Sequence, residues 1–281
     1  MATLETLSEQ RCHGGVQGFY RHESETCGVP MRFAAYRPPQ AEKGRVPVLY
    51  CLAGLTCTEE TFTIKAGAQR LAAELGLMLV CPDTSPRDTG IPGEADDWEF
   101  GAGAGFYLDA TQPPWSKHFQ MYSWITSELP GVLGEHLPAA VERAGIMGHS
   151  MGGHGALVIG LRNQRRYASI SAFAPIVAPT RAPWGLKAFP RFLGPDRNNW
   201  KAWDACELAR KDPAPGTILV DVGLADTFLD RQLRPELFEE ACAASGQPLH
   251  LRRHVGYDHS YWFIQSFIED HLRHHAARLL A

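Results

Sequence analysis

The sequence predicts an α/β fold, a mostly parallel central sheet with helices on both faces, in one domain over residues 1–281. Apolar runs rich in β-branched and aromatic residues alternate with longer stretches of helical periodicity, as parallel strands joined by crossover helices do. Most of these runs are apolar throughout rather than alternating, as strands covered on both faces must be. A chain of 281 residues suits one α/β domain, and no stretch has linker composition or internal repetition.

Taken in order, residues 31–36 read as an antiparallel edge strand ahead of the first buried run, 46–53 (VPVLYCLA). Helical spacing covers 59–75, and 77–81 (LMLVC) is the next buried strand. Residues 119–136 read as helix, 145–147 as a short strand, and 152–162 as the helix that follows it. Strands are expected at 169–174 and 217–222 (TILVDV), then helix at 235–245. Residues 248–255 alternate more and belong nearer an edge, and 260–280 close the chain as helix. The stretches 83–115 and 175–203 lack periodicity and are rich in Gly, Pro and aromatics. Loops of that length in a compact domain are usually functional or carry short structure of their own.

Composition narrows the function classes. The chain is 44% hydrophobic and 21% charged, with a net charge of −4 from 31 acidic and 27 basic residues. That balance gives no electrostatic case for nucleic acid or an anionic membrane. No apolar stretch approaches the ~20 residues of a membrane span, and the acidic N-terminus does not read as a secretory signal. Seven cysteines, an odd number with no C-x-x-C pair, read as reduced thiols of a cytoplasmic protein.

Chemistry enters at Gly148-His149-Ser150-Met151-Gly152, a G-x-S-x-G pentapeptide between a short strand and a helix. In that setting the serine occupies a strained strand-to-helix turn, and the flanking glycines let neighbouring backbone approach. A serine nucleophile needs a base, and the base an orienting acid. On the α/β-hydrolase fold the acid follows a later strand and the histidine comes last. Asp226 lies in the loop after 217–222; Asp221, inside the strand run, and Asp230, further on, are its rivals. His259 follows 248–255 and takes the base position. His149 and His154 are tied to the elbow and its helix. His271 and His275 have the i,i+4 spacing of a metal pair but no acidic partners, and read as solvated. The backbone N–H of Met151 and, from the loop after 46–52, that of Leu55 are the candidate oxyanion donors. Gly54 and Thr58 serve equally as a strand-to-helix turn and an N-cap.

Nearly the whole chain resembles the S-formylglutathione hydrolase (esterase D) family. The resemblance is carried by LAGLTCTEETF (52–62), CPDTSPR (81–87), WEFGAGAGFYLDAT (98–111), MYSWITSELP (121–130), GHSMGGHGAL (148–157), SAFAPI (171–176), GYDHSYWFI (256–264) and HLRHHA (271–276). It implies a triad of Ser150, Asp226 and His259, with Leu55 and Met151 as oxyanion donors. The implied reaction is hydrolysis of S-formylglutathione to glutathione and formate, a step of formaldehyde detoxification, without metal or organic cofactor. Family members are often homodimers, so a second copy is the partner the resemblance suggests, beside the small-molecule substrate. A broad short-chain carboxylesterase and an acyltransferase on the same fold are the alternatives.

Trp98, Phe106, Tyr107 and Trp184 are candidate walls of a narrow acyl pocket, though ordinary core packing accounts for each singly. Lys65, Arg87 and Lys187 are candidate contacts to glutathione carboxylates. Cys57, two residues past the oxyanion loop donor, is either a thiol beside the site or a small buried hydrophobe.

Overall fold

The computed structural model describes residues 4–281. Nine strands form one sheet: β1 (Leu4–Cys12), β2 (Gly15–Glu23), β3 (Pro30–Arg37), β4 (Val46–Leu52), β5 (Met78–Pro82), β6 (Ala139–His149), β7 (Tyr167–Phe173), β8 (Ile218–Gly223) and β9 (Leu249–His254). Their spatial order is β1-β2-β3-β5-β4-β6-β7-β8-β9. From β5 through β4 to β9 all neighbours are parallel, while β1, β2 and β3 join antiparallel at one side. The sheet is therefore mostly parallel, as the apolar runs predict. β4, β5 and β8 are buried at every position; because successive side chains face opposite ways, both faces must be covered.

Among the described residues nine α-helices lie between and after the strands: α1 (Glu59–Lys65), α2 (Gln69–Leu75), α3 (Met121–Ser123), α4 (Leu129–His136), α5 (Met151–Arg162), α6 (Pro183–Leu193), α7 (Ala205–Lys211), α8 (Pro235–Ser245) and α9 (Tyr261–Leu279). A π-helical turn, Trp124–Glu128, joins α3 to α4. Thr58 caps α1 through a reciprocal pair with Thr61. Pro183 and Pro235 open α6 and α8, where their missing N–H costs nothing. α5 packs against β6 and β7, and α9 against β7.

Three expectations need correction. The strand expected at 31–36 is β3, but it is not an edge, because β2 pairs along its free side from Val16–Arg37 to Glu23–Pro30. The β1–β2 hairpin behind it turns on His13 and Gly14, both with positive φ, and its strands are too polar to read as buried runs. The helix expected over 59–75 is two helices, parted at Gly67, whose φ of +67° ends the first. His271 and His275 are not solvated: both are fully buried against β7. His275 bridges Ser169 Oγ (2.7 Å) and Ser171 Oγ (2.8 Å), and His271 Nδ1 lies 2.9 Å from Ser171 Oγ. Two small hydroxyls on β7 leave room for the rings and partner three of their four nitrogens, while His271 Nε2 faces the Asp221 carboxylate at 3.3 Å. α6, inside the aperiodic 175–203 stretch, gives that loop its structure.

Among the described residues no helix is long and apolar enough to cross a membrane. All seven cysteines are unpaired.

Candidate active site at the carboxyl edge of the sheet

β6 ends at His149 and α5 begins at Met151, so Ser150 alone forms the turn. Its backbone is held at φ 59°, ψ −118°, sparsely populated for a residue with a Cβ. The surroundings over-determine it: Ser150 N donates to Phe173 O (2.9 Å), and Ser150 O accepts from His154 N (2.9 Å). The flanking glycines are sterically required. A Cβ on Gly148 would sit 2.1 Å from Gly152 O, and one on Gly152 would sit 2.1 Å from Leu52 O.

The loop after β8 carries Asp226, and the loop after β9 carries His259. The two are laced together by Leu224 N to His254 O (2.9 Å) and Ala225 N to Tyr257 O (2.8 Å). Asp226 is buried; its Oδ2 faces His259 Nδ1 at 2.5 Å and its Oδ1 accepts from Phe228 N at 2.8 Å. Both carboxylate oxygens are thus occupied, which fixes the carboxylate and with it the imidazole.

The rival acids lie elsewhere. Asp221 is fully buried within β8, where Arg252 grips it in two hydrogen bonds and His271 Nε2 lies 3.3 Å away. Burial alone would raise its carboxyl, but His271 and Arg252 beside it overcome that and hold it at about 2. It braces β8 against β9 and has no path to Ser150. Asp230 opens a π-helical turn, Leu229–Leu233, beyond the loop.

Ser150 and His259 line one cavity of about 120 Å³ together with Gly54, Leu55, Cys57, His149, Trp98, Trp184 and Phe228. Gly54 lies so near that a Cβ there would be 3.2 Å from Ser150 Cβ. Neither Leu55 N nor Met151 N donates to a backbone carbonyl among the described residues. Two N–H groups, one on each side of the serine, are therefore unspent. His149 is buried with its ring centroid 4.6 Å from that of His259; burial first, then the neighbouring imidazole, hold it neutral. Phe228 closes the other side of His259, centroids 5.0 Å apart.

The expected pocket residues divide. Trp98 and Trp184 do wall the cavity, edge to face at 6.0 Å; Trp184 is buried and Trp98 more than half exposed at the mouth. Glu99 accepts from Trp184 Nε1 (2.7 Å) and from Lys187 Nζ (2.6 Å), while Lys187 also reaches Asp97 (2.7 Å). The loop bearing Trp98 is thereby latched to α6. Lys187, a candidate contact to glutathione carboxylates, already has two of the protein's own. Phe106 is not a pocket wall; it is fully buried behind the elbow against His154 and Phe189. Tyr107 is likewise buried, donating to Ala53 O at 2.8 Å. Lys65 lies outside the cavity lining, its Nζ 5.9 Å from the Tyr261 ring. Cys57 does line the cavity, and burial pushes its thiol up, against thiolate reactivity.

His149 and Phe228 were missed as cavity residues. The only sequence signals are position: His149 precedes Ser150, and Phe228 follows Asp226 by two residues. Among the described residues no three metal-ligating side chains converge.

Comparison with known proteins finds similarity over nearly the whole chain. The family model described as "Putative esterase" matches residues 24–274. S-formylglutathione hydrolase of Mus musculus is 50% identical over 280 residues, covering 99% of both chains. That of Paracoccus denitrificans is 50% identical over 275 residues, covering 98% of both. The solved structure of an S-formylglutathione hydrolase from Agrobacterium tumefaciens superposes with a TM-score of 0.96 at 50% identity, covering 98% of this chain and 99% of the other.

Proposed function

Since the chain belongs to the S-formylglutathione hydrolase family of esterases, we propose that it cleaves the thioester of S-formylglutathione to glutathione and formate, with Ser150, His259 and Asp226 as its triad. The observation that carries the reading is the Asp226–His259 pair at 2.5 Å, opening with Ser150 onto one cavity.

In the proposed reaction Ser150 Oγ attacks the formyl carbonyl and His259 Nε2 takes its proton. Asp226 fixes the tautomer by accepting from Nδ1 and stabilises the imidazolium that forms. The oxyanion is received by Leu55 N–H and Met151 N–H, the two donors without backbone acceptors. The C–S bond then breaks; with a thiol pKa of ~8.5 the sulfur needs little acid assistance to leave, and it takes up the proton held on His259 to give glutathione and a neutral imidazole. His259 next deprotonates a water, which attacks the formyl ester and releases formate, returning the proton to Ser150. A cavity of about 120 Å³ between Trp98, Trp184 and Phe228 suits an acyl group of very few atoms and works against a broad carboxylesterase. We assign the activity to formaldehyde detoxification in the cytoplasm, in keeping with seven unpaired thiols.

The test compares kcat/KM on S-formylglutathione with that on p-nitrophenyl acetate. A preference for the thioester of at least a hundredfold is expected; equal or poorer use of it overturns the assignment.

A further inference from the structure

A second and larger cleft opens beside the catalytic cavity. It encloses about 460 Å³ and is lined in part by Arg21, Arg32, Glu59, Asp83 and Arg87. It lies at the same edge of the sheet as Ser150. Asp83 follows the C-terminal end of β5, and its N–H is bonded to Arg32 O at the antiparallel start of β3 (3.0 Å). Ligands of α/β sheets bind outside this carboxyl edge. The two cavities share a wall: Leu55 and Cys57 face the catalytic one and Thr58 and Glu59 the cleft, while Arg87 Nη2 donates to Cys57 O at 3.0 Å.

The lining is not a saturated surface network. Arg87 is tied to Asp83, and Arg21 to Glu5 and Glu23, but Arg32 is exposed and makes no ion pair among the described residues. Glu59 is only 4% exposed, and its carboxyl has no side-chain donor or ion-pair partner among them, only its own backbone N–H, so its charge faces the cleft unmatched. Burial and the nearby Asp83 push that carboxyl up, outweighing its own N–H and the Arg32 guanidinium, which pull it down. One guanidinium without an ion pair and one carboxyl without a side-chain donor match a ligand bearing both charges on one carbon. A simple anion would leave Glu59 unsatisfied, and the carboxylates do not converge as a metal set.

We propose that this cleft takes the zwitterionic α-amino-acid end of the substrate, the γ-glutamyl head of glutathione, with Arg32 on its carboxylate and Glu59 on its ammonium. The inference rests on the thioester reading above. The catalytic cavity thus holds the acyl group, while the neighbouring cleft recognises the carrier.

The test measures Arg32→Ala and Arg32→Glu on S-formylglutathione, on the formyl thioester of 2-mercaptoethanol and on p-nitrophenyl acetate. For S-formylglutathione KM should rise about tenfold in the first and further in the second, the scale of one charged hydrogen bond, with kcat within about twofold. Inhibition by free glutathione should weaken by the same factor. The two carrier-free substrates should be unaffected, which separates recognition from misfolding. Glu59→Gln should also raise KM for the glutathione thioester alone. Wild-type preference for S-formylglutathione combined with an unchanged KM in both Arg32 variants overturns the cleft assignment only. Absence of that preference in the wild type overturns the thioester reading itself.

Discussion

Asp226 and Asp221 are the same residue type five positions apart, and their surroundings give them different work. Asp226 spends its oxygens on His259 and the Phe228 N–H; Asp221 spends its own on Arg252. Asp226→Asn should therefore lower kcat by about 10⁴, by analogy with other triads, at nearly unchanged stability. Asp221→Asn should leave kcat within a fewfold and cost about 2 kcal/mol, because it takes a charged acceptor from Arg252, which keeps Asp270, and from the buried His271. Steady-state kinetics beside urea unfolding separates the two, and a kcat loss larger in Asp221→Asn would reverse the assignment of the acid. The distinction was legible in the sequence, since one aspartate falls inside an apolar strand run and the other just past it. The neighbours of the histidine were not legible. His149 reaches the His259 ring, and Phe228 covers it, only because β6 and β8 end side by side across β7.

At the level of elements, the turn between β6 and α5 has no slack. Gly152→Ala should place its methyl within 2.1 Å of Leu52 O, pushing α5 off β4. A loss of about 3 kcal/mol or more, together with most activity, is expected, read by thermal unfolding and ester turnover. Retained stability would mean that the helix can shift without penalty. The buried strands β4, β5, β7 and β8 were readable because apolar runs bounded by turns have few alternatives in a chain of this size. The β1–β2 hairpin was not, because its strands carry Glu5, Glu9, Arg11 and Arg21 and are held by long-range pairing to β3. The burial of α9 was half legible. Its apolar face could be read, but the two histidines within it are explained only by Ser169 and Ser171 on a strand about 100 residues away.

For the molecule as a whole, several imidazoles are folded into its interior as neutral rings. Burial lowers His149, His271 and His275, and brings His154 to about 4. The unfolded chain titrates these groups near ~6.5 and so binds more protons than the native state below that pH. Their contribution is present above ~6.5 and is lost as pH falls toward the folded values; His154 alone accounts for roughly 3 kcal/mol between ~6.5 and about 4. Asp221 acts in the same direction at lower pH, losing its stabilisation as pH drops from ~3.9 toward about 2. Urea unfolding at pH 7.5 and pH 5 should show a marked fall in midpoint at the lower value. An unchanged midpoint would mean that the buried rings are not neutral in the folded protein.

The ion-paired latch of Lys187 with Asp97 and Glu99 is partly exposed, with about 39% of the lysine side chain open to solvent. Dissolved ions reach such a pair, and at about 1 M salt the screening length falls to roughly 3 Å. The walls it joins, Trp98 and Trp184, line the cavity proposed to take the acyl group. Substrate choice should therefore respond to ionic strength: turnover of p-nitrophenyl butyrate relative to acetate should rise severalfold between about 0.05 M and 1 M sodium chloride. The response should vanish in Lys187→Met, whose neutral side chain leaves salt nothing to screen. A ratio independent of salt in the unmodified enzyme would show that the chamber keeps its width without the latch.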